Sequence, residues 1–224
     1  NGDFFQSIVE RNIDHLPKGD LLVRVKYSSL NYKDSLSYSG NKGVTKIYPH
    51  TPGIDAMGIV ELSKTKEFSE GDKVIVTGYD LGMNTPGGFG EYISVPKEWV
   101  TLLPDNLGDS ESMILGTAGI TAGLCINALL EKHKIKRKKA VVTGSTGGVG
   151  CISVMLLAKL GAEVTAITGK TNSKDFLYSI GAKEVLLRNN YLNSVKKPMS
   201  KGVWDIAVDV AGGGMLAGII ASMK

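Results

Sequence analysis

The sequence predicts an α/β protein: a β-rich N-terminal domain, then a doubly wound parallel sheet with its C-terminal part missing. Three observations carry this. Short segments of alternating apolar and polar residues, punctuated by glycine, fill residues 21–95. An apolar stretch at helical spacing follows, up to about residue 130. From residue 140 onward strand-like and helix-like segments take turns, and the first strand-to-helix turn reads GSTGGVG at 144–150. Strands that alternate with helices pair in parallel, because each must cross over a helix to reach the next. Closely spaced strands joined by turns form a small barrel or a partly open sheet.

Taken in order, residues 21–28 (LLVRVKYS) alternate as a half-buried strand does. Segments 54–62 and 73–78 give two more strands, separated by the turn EGD at 70–72. After the loop 84–90, residues 91–95 return to strand and Pro96 closes it. Asp109 and Ser110 can cap a helix that runs to about Leu130. The βα pattern then places strands at 140–143, 163–168, 184–187 and 204–210, with helices ending near residue 160 and spanning 174–180. This places residues 1–130 in the β-rich domain with its following helix, and 131–224 in the parallel-sheet domain.

The 224 residues are 42% hydrophobic and 21% charged, enough apolar content for a buried core. The formal net charge is +4, with both signs spread along the chain. One basic run, 133–139 (HKIKRKK), has no interleaved aromatic residues and reads as a solvated loop, not a nucleic-acid surface. No uninterrupted apolar run approaches about 18 residues, so a membrane span is not expected. Cys125 and Cys151 lie in apolar stretches without a second ligand at metal spacing and read as buried thiols. A soluble, cytoplasmic protein without a nucleic-acid or membrane partner is expected.

The glycine loop carries the first chemistry. A strand, a glycine-rich turn and a helix start together present free N–H groups and a positive dipole end to a pyrophosphate. Ser145, Thr146, Gly147, Gly148 and Val149 are the residues expected to meet a dinucleotide there; the alternative is a helix start with no ligand. About twenty residues on, an acid would mark NAD by accepting the ribose hydroxyls. Thr168, Gly169 and Lys170 stand there instead, with Lys174 nearby, so a 2′-phosphate meets cations and hydroxyls and no repelling carboxylate. NADPH is the cofactor this predicts, against the alternative that these residues only solvate a loop.

The set SSLNYKD (28–34), PGIDAMGIV (52–60), GGFGEY (87–92) and ILGTAGITA (114–122), ahead of GSTGGVG, resembles the medium-chain dehydrogenase/reductase superfamily. It is most similar to the acrylyl-CoA reductase branch of the zinc-independent quinone oxidoreductases. The resemblance implies a GroES-like first domain and a Rossmann second domain, and a C-terminal segment that completes both. It implies an NADPH-dependent reductase of an activated double bond (an enoyl-CoA thioester) or a quinone, homodimeric when full length. A non-catalytic NADP(H)-binding protein with a structural or regulatory role is the alternative from another class.

Where zinc-dependent members carry a cysteine and a histidine–glutamate pair, this chain has Asn31 and then Ile54 and Asp55, so that tetrahedral site cannot form. His15, His50 and His133 share no ligand spacing and are expected at the surface. By resemblance Asn31 and Tyr32 are the catalytic candidates. Tyr32 is also expected at the nicotinamide end of the cofactor, with a packed surface aromatic as its alternative. Asp34 is expected to be a buried structural acceptor. Thr117 either meets the cofactor or caps a helix, Tyr79 either lines the substrate cleft or packs in the core, and Asp209 ends a strand on the ligand-binding edge. Tyr38 and Lys42 have the Tyr-x-x-x-Lys spacing of short-chain dehydrogenases, but precede the glycine loop and are read as coincidence.

Overall fold

A computed structural model describes residues 4–194 and 202–224. The chain divides into two compact units, Asn1–Thr117 and Ala118–Lys224.

In the first unit five strands form one antiparallel sheet: β1 (Leu21–Tyr27), β2 (Asp55–Ser63), β3 (Lys73–Thr77), β4 (Tyr92–Val95) and β5 (Val100–Leu102), in the order β4-β1-β2-β3-β5. The period-2 alternation predicted for residues 21–28 is visible in the packing. Leu21 and Val23 point into a core shared with Ala56, Val60, Val74, Val76, Leu81, Ile93 and Val95. Helix α1 (Tyr32–Tyr38) leaves β1 immediately and has no apolar stripe to announce it. Its signal is the spacing of Asn31 and Asp34, since the Asp34 carboxylate accepts the Asn31 backbone N–H at 2.8 Å and the Asn31 side chain faces the Asp34 N–H in return, a capping box.

Helix α2 (Asp109–Leu130) crosses the division between the units, and Gly116 breaks its helical geometry at φ 47°, ψ −151°. The units part just after this break, earlier in the chain than the 130/131 boundary expected from sequence, because Ile126 and Leu129 pack with the core of the second unit. By length and composition alone α2 is apolar enough to cross a membrane. Counting uninterrupted apolar runs missed this, because polar residues such as Thr117, Thr121 and Asn127 interrupt residues 112–130, which carry no charge after Asp109 and Glu111 of the first turn.

The second unit is a parallel sheet of β6 (Lys139–Thr143), β7 (Glu163–Thr168), β8 (Glu184–Leu187) and β9 (Ile206–Val208), in the order β8-β7-β6-β9. Successive residues of β6 serve opposite faces. Ala140 and Val142 pack with Val154 and Leu157 of α3 (Gly148–Lys159) and Leu177 of α4 (Lys174–Ser179). Val141 packs with Tyr191 of α5 (Arg188–Ser194) and with Met215 and Ile219 of α6 (Gly213–Ile220). Helices on both faces explain why the strands read as continuous apolar runs. The order is the first four strands of a doubly wound sheet, and places the carboxyl ends of β6, β7, β8 and β9 along one edge.

Leu157 is fully buried against the sheet. Leu157→Ala should lower the unfolding free energy by about 2–5 kcal/mol, whereas Leu124→Ala on the exposed face of α2 should stay within about 0.5 kcal/mol. Denaturant unfolding of the two variants checks the difference.

Candidate functional site

In the first unit the residues expected to carry chemistry collect around two buried carboxylates. Asp34, on the first turn of α1, accepts the backbone N–H groups of Asn31 (2.8 Å), Gly53 (3.1 Å) and Ile54 (3.0 Å). Burial pushes its carboxyl above the ordinary aspartate range, opposed by those three N–H donors. The expected structural acceptor is therefore in place, tying α1 to the segment entering β2. Asp55, the first residue of β2, is 0% exposed. Its Oδ1 accepts the Thr117 hydroxyl at 2.7 Å. Its Oδ2 accepts the Thr117 N–H (2.9 Å), the Asn31 amide Nδ2 (2.8 Å) and the Ser29 hydroxyl.

The break at Gly116 makes this possible. A Cβ at that position would lie 2.6 Å from Ser29 Oγ and 2.7 Å from Asp55 Oδ2. With φ at +47° and no side chain, the backbone comes close enough for Thr117 to start a new helical segment with its N–H on a carboxylate. Thr117 donates both its N–H and its hydroxyl to Asp55, so the carboxylate of Asp55, not the Thr117 side chain, serves as the acceptor at this helix start.

Tyr32 stands on α1 at 80% exposure, and no described residue bonds its hydroxyl. Tyr79 is not a core residue. It is 60% exposed, has φ 54°, and stacks on Trp99 with ring centroids 5.4 Å apart. Among the histidines, His15 and His133 are exposed, but His50 is not a surface residue: it is half-buried beside Tyr48, with Nε2 buried. Among the described residues no group of three or more His, Cys, Asp or Glu side chains is placed to hold a metal. Ile54 is buried, with its N–H on Asp34. Lys42 of the Tyr38/Lys42 pair is engaged elsewhere, bonded to the Lys46 carbonyl at 3.0 Å and lying over the Phe4 and Tyr48 rings. Neither cysteine is fully buried, contrary to the sequence expectation; Cys151 lies on the first turn of α3 with its thiol on the Gly148 carbonyl.

In the second unit the glycine loop joins β6 to α3. Gly150 has the tightest requirement, since a Cβ there would meet the Gly144 carbonyl oxygen at 2.2 Å. Closing the loop, not helix-to-sheet contact, is what demands this glycine. Gly147 and Gly148 are exposed and stand at the N-terminus of α3, where the first N–H groups have no intrahelical partner. Val149 follows on the same first turn, half-buried. Ser145 departs from the expected ligand set. It is fully buried, with its hydroxyl on the Val142 carbonyl and its N–H on the Ile167 carbonyl, so it shapes the loop instead of facing outward. Thr146 Oγ1 lies 3.4 Å from Thr168 Oγ1, which accepts the Lys170 N–H at 3.0 Å.

Gly169 and Lys170 are exposed at the carboxyl end of β7. Sequence reading missed their neighbour. The Arg188 guanidinium, from the residue that follows β8, lies so near Gly169 that a Cβ there would be 3.3 Å from its Cζ and Nη2. Arg188 and Lys170 carry no side-chain hydrogen bond or ion pair among the described residues. The signal was available: an arginine directly after the third parallel strand sits on the ligand-binding edge. Asp209 is occupied structurally, accepting the Thr143 hydroxyl at 2.6 Å and the Gly212 N–H at 2.9 Å.

The alcohol dehydrogenase GroES-like domain family matches residues 17–105. The "Probable acrylyl-CoA reductase AcuI" of Escherichia coli is 39% identical over 225 residues, covering 100% of this chain and 69% of that protein. The chain belongs to the medium-chain dehydrogenase/reductase superfamily. Its relatives there are acrylyl-CoA reductases and YhfP-type quinone oxidoreductases. The "Putative quinone oxidoreductase YhfP" of Bacillus subtilis is 42% identical, over 94% of this chain and 64% of its own length. Acrylyl-CoA reductase AcuI of Ruegeria pomeroyi is 39% identical, over 97% and 66%. The chain thus spans about two-thirds of these relatives. Among solved structures, E. coli YhdH with bound NADPH superposes with a TM-score of 0.92 at 39% identity, over 97% of this chain and 67% of that one. B. subtilis YhfP with NAD bound superposes at 0.90 and 41% identity, over 96% and 65%.

Gly116→Ala should destabilise the protein by about 1–3 kcal/mol, through a strained left-handed backbone and the clash with Ser29 and Asp55. Gly123→Ala, where an added Cβ meets nothing within 4 Å, should be neutral or stabilising. Thermal unfolding of both variants distinguishes them.

Proposed function

We propose that the whole protein is an NADPH-dependent reductase of an activated carbon–carbon double bond, an enoyl thioester of the acrylyl-CoA type or a quinone, working without a catalytic metal. The observation that carries the reading is the pairing of an exposed glycine helix start with unopposed cations. Gly147 and Gly148 leave the N-terminus of α3 open, and Lys170 and Arg188 stand without acidic partners at the carboxyl ends of β7 and β8. Helix N–H groups hold the pyrophosphate, and the two cations hold a 2′-phosphate by charge-assisted hydrogen bonds. Relatives solved with NADPH or NADP support the cofactor, and acrylyl-CoA reductases among the relatives support the substrate class.

Bound NADPH supplies the hydride that reaches the β-carbon of the double bond. The chain's own residues then answer for position and for charge. Asn31 and Tyr32 are assigned to the reacting end. The Tyr32 hydroxyl is exposed and unengaged, so it can donate to the thioester oxygen as the enolate forms, before a proton reaches the α-carbon. Asn31, Ile54 and Asp55, standing where zinc-dependent relatives hold metal ligands, restrict the chemistry to acceptors already activated by conjugation.

The full-length protein should oxidise NADPH with acrylyl-CoA, crotonyl-CoA or a member of a quinone panel, followed by NADPH absorbance. Tight NADPH binding with no turnover on any acceptor would instead assign it a non-catalytic role. Arg188→Gln and Lys170→Glu should each raise the KM for NADPH roughly tenfold or more, the scale of one hydrogen bond to a charged group, and leave the KM for NADH unchanged. Equal effects on both cofactors would remove these residues from the 2′-phosphate.

A further inference from the structure

The backbone ladders on the two sides of β6 end at different heights. Toward β7 the pairing runs on to Thr143, opposite Ile167. Toward β9 it stops one residue sooner, at Val142 and Val208. This is where the strand order reverses, the place at which a doubly wound sheet opens its crevice. Side chains take over the linkage there. The Val210 backbone N–H can only donate, and it does so to Thr143 Oγ1 at 3.0 Å. The Thr143 hydroxyl proton in turn goes to Asp209 Oδ1 at 2.6 Å, and Asp209 Oδ2 accepts the Gly212 N–H at 2.9 Å. Every bond in the set points toward Asp209. Thr143 is the last residue before the glycine loop, and the Val210 that it anchors lies against the loop itself: a Cβ on Gly144 would stand 2.6 Å from Val210 Cγ2. All of these residues belong to the second unit.

We infer that Asp209 is a positioning residue for the dinucleotide: acting through Thr143 and Val210, it fixes the start of the glycine loop in the conformation that opens the N-terminus of α3 to a pyrophosphate. That the loop takes a dinucleotide rests on the reductase reading above; that Asp209 holds the loop does not. A loop released from this hold occupies the binding conformation for only part of the time, and the apparent Kd rises by the inverse of that fraction. Losing one hydrogen bond to a charged group is enough to reduce the fraction to about a tenth. The penalty falls on the pyrophosphate, which NADPH and NADH share. This separates Asp209 from Lys170 and Arg188, whose loss is felt by NADPH alone.

The test compares Asp209→Ala, Asp209→Asn and Thr143→Val in the full-length protein. D209A should bind NADPH and NADH each roughly tenfold more weakly, read from the fluorescence of the bound nicotinamide. D209N should recover most of the loss, because its Oδ1 can still face the Gly212 N–H while its NH2 donates to Thr143 Oγ1. T143V removes the hydroxyl with little change of volume and leaves the Asp209–Gly212 bond in place. It should match D209A, and it carries the same test should D209A not fold. Adding D209A to T143V should cost nothing further in Kd, although each change lowers Tm. Wild-type affinity in D209A and T143V, D209N as damaging as D209A, a loss confined to NADPH, or losses that multiply in the double variant would each overturn the inference. A second readout needs no ligand. Amide hydrogen exchange, followed by mass spectrometry, should quicken in D209A and T143V over residues 143–150 and keep its wild-type rate over β8. An unchanged loop, or equal quickening in both segments, would overturn the role of Asp209 directly. A wild-type protein that binds neither dinucleotide would sink the reductase reading, and the exchange comparison would still decide this one.

Discussion

The Asp55 carboxylate joins three stretches that are distant in sequence: the segment after β1 that carries Ser29 and Asn31, the start of β2, and the restart of α2 at Thr117. A fully buried carboxylate is costly unless every lone pair finds a donor, and here the donors come from both neighbouring segments. The cost is what makes the arrangement specific. In this placement the break at Gly116 brings the Thr117 N–H onto Asp55, and the same carboxylate holds the Asn31 amide. Asp34 repeats the logic on the other side of Asn31, with backbone N–H groups as its donors.

The second unit solves a different problem by removing atoms. Its loop doubles back so closely that a single methylene at Gly150 would collide with the Gly144 carbonyl. The loop's own polar side chains are consumed in holding that shape: Ser145 bonds back to Val142, and Thr146 lies against Thr168. What faces outward is bare backbone at Gly147 and Gly148. Polar side chains build the curve, and the helix terminus does the recognising.

Much of this was legible in the sequence, for reasons that differ by element. β7 and β8 were read to the residue because their apolar runs are bounded by turn residues, and α2 was read to within a turn because its apolar spacing is sustained, although its break at Gly116 was not. Helix α1 was missed, since its seven residues carry no stripe and only the Asn31–Asp34 pair signals its start. Two further helical or strand segments, α5 and β5, are too short for periodicity to detect. The site was legible as a set of residue types but not as a set of contacts. Asp55 stood in the motif as a substituted metal ligand, and its partnership with Thr117 spans 62 positions that no local pattern encodes. Arg188 escaped for a similar reason: its neighbour Gly169 follows another strand, and adjacency across a parallel sheet is a tertiary fact.

Lys170 and Arg188 are exposed and contribute nothing to either core. Substitutions at such positions usually change stability by no more than about 0.5 kcal/mol. On the proposed reading, the choice between phosphorylated and unphosphorylated dinucleotide is therefore decoupled from the integrity of the scaffold. Lineages can exchange one redox pool for the other through a few neutral steps, without passing through a poorly folded intermediate. Relatives of nearly equal similarity that are solved with NADPH in one case and with NAD in another fit that freedom.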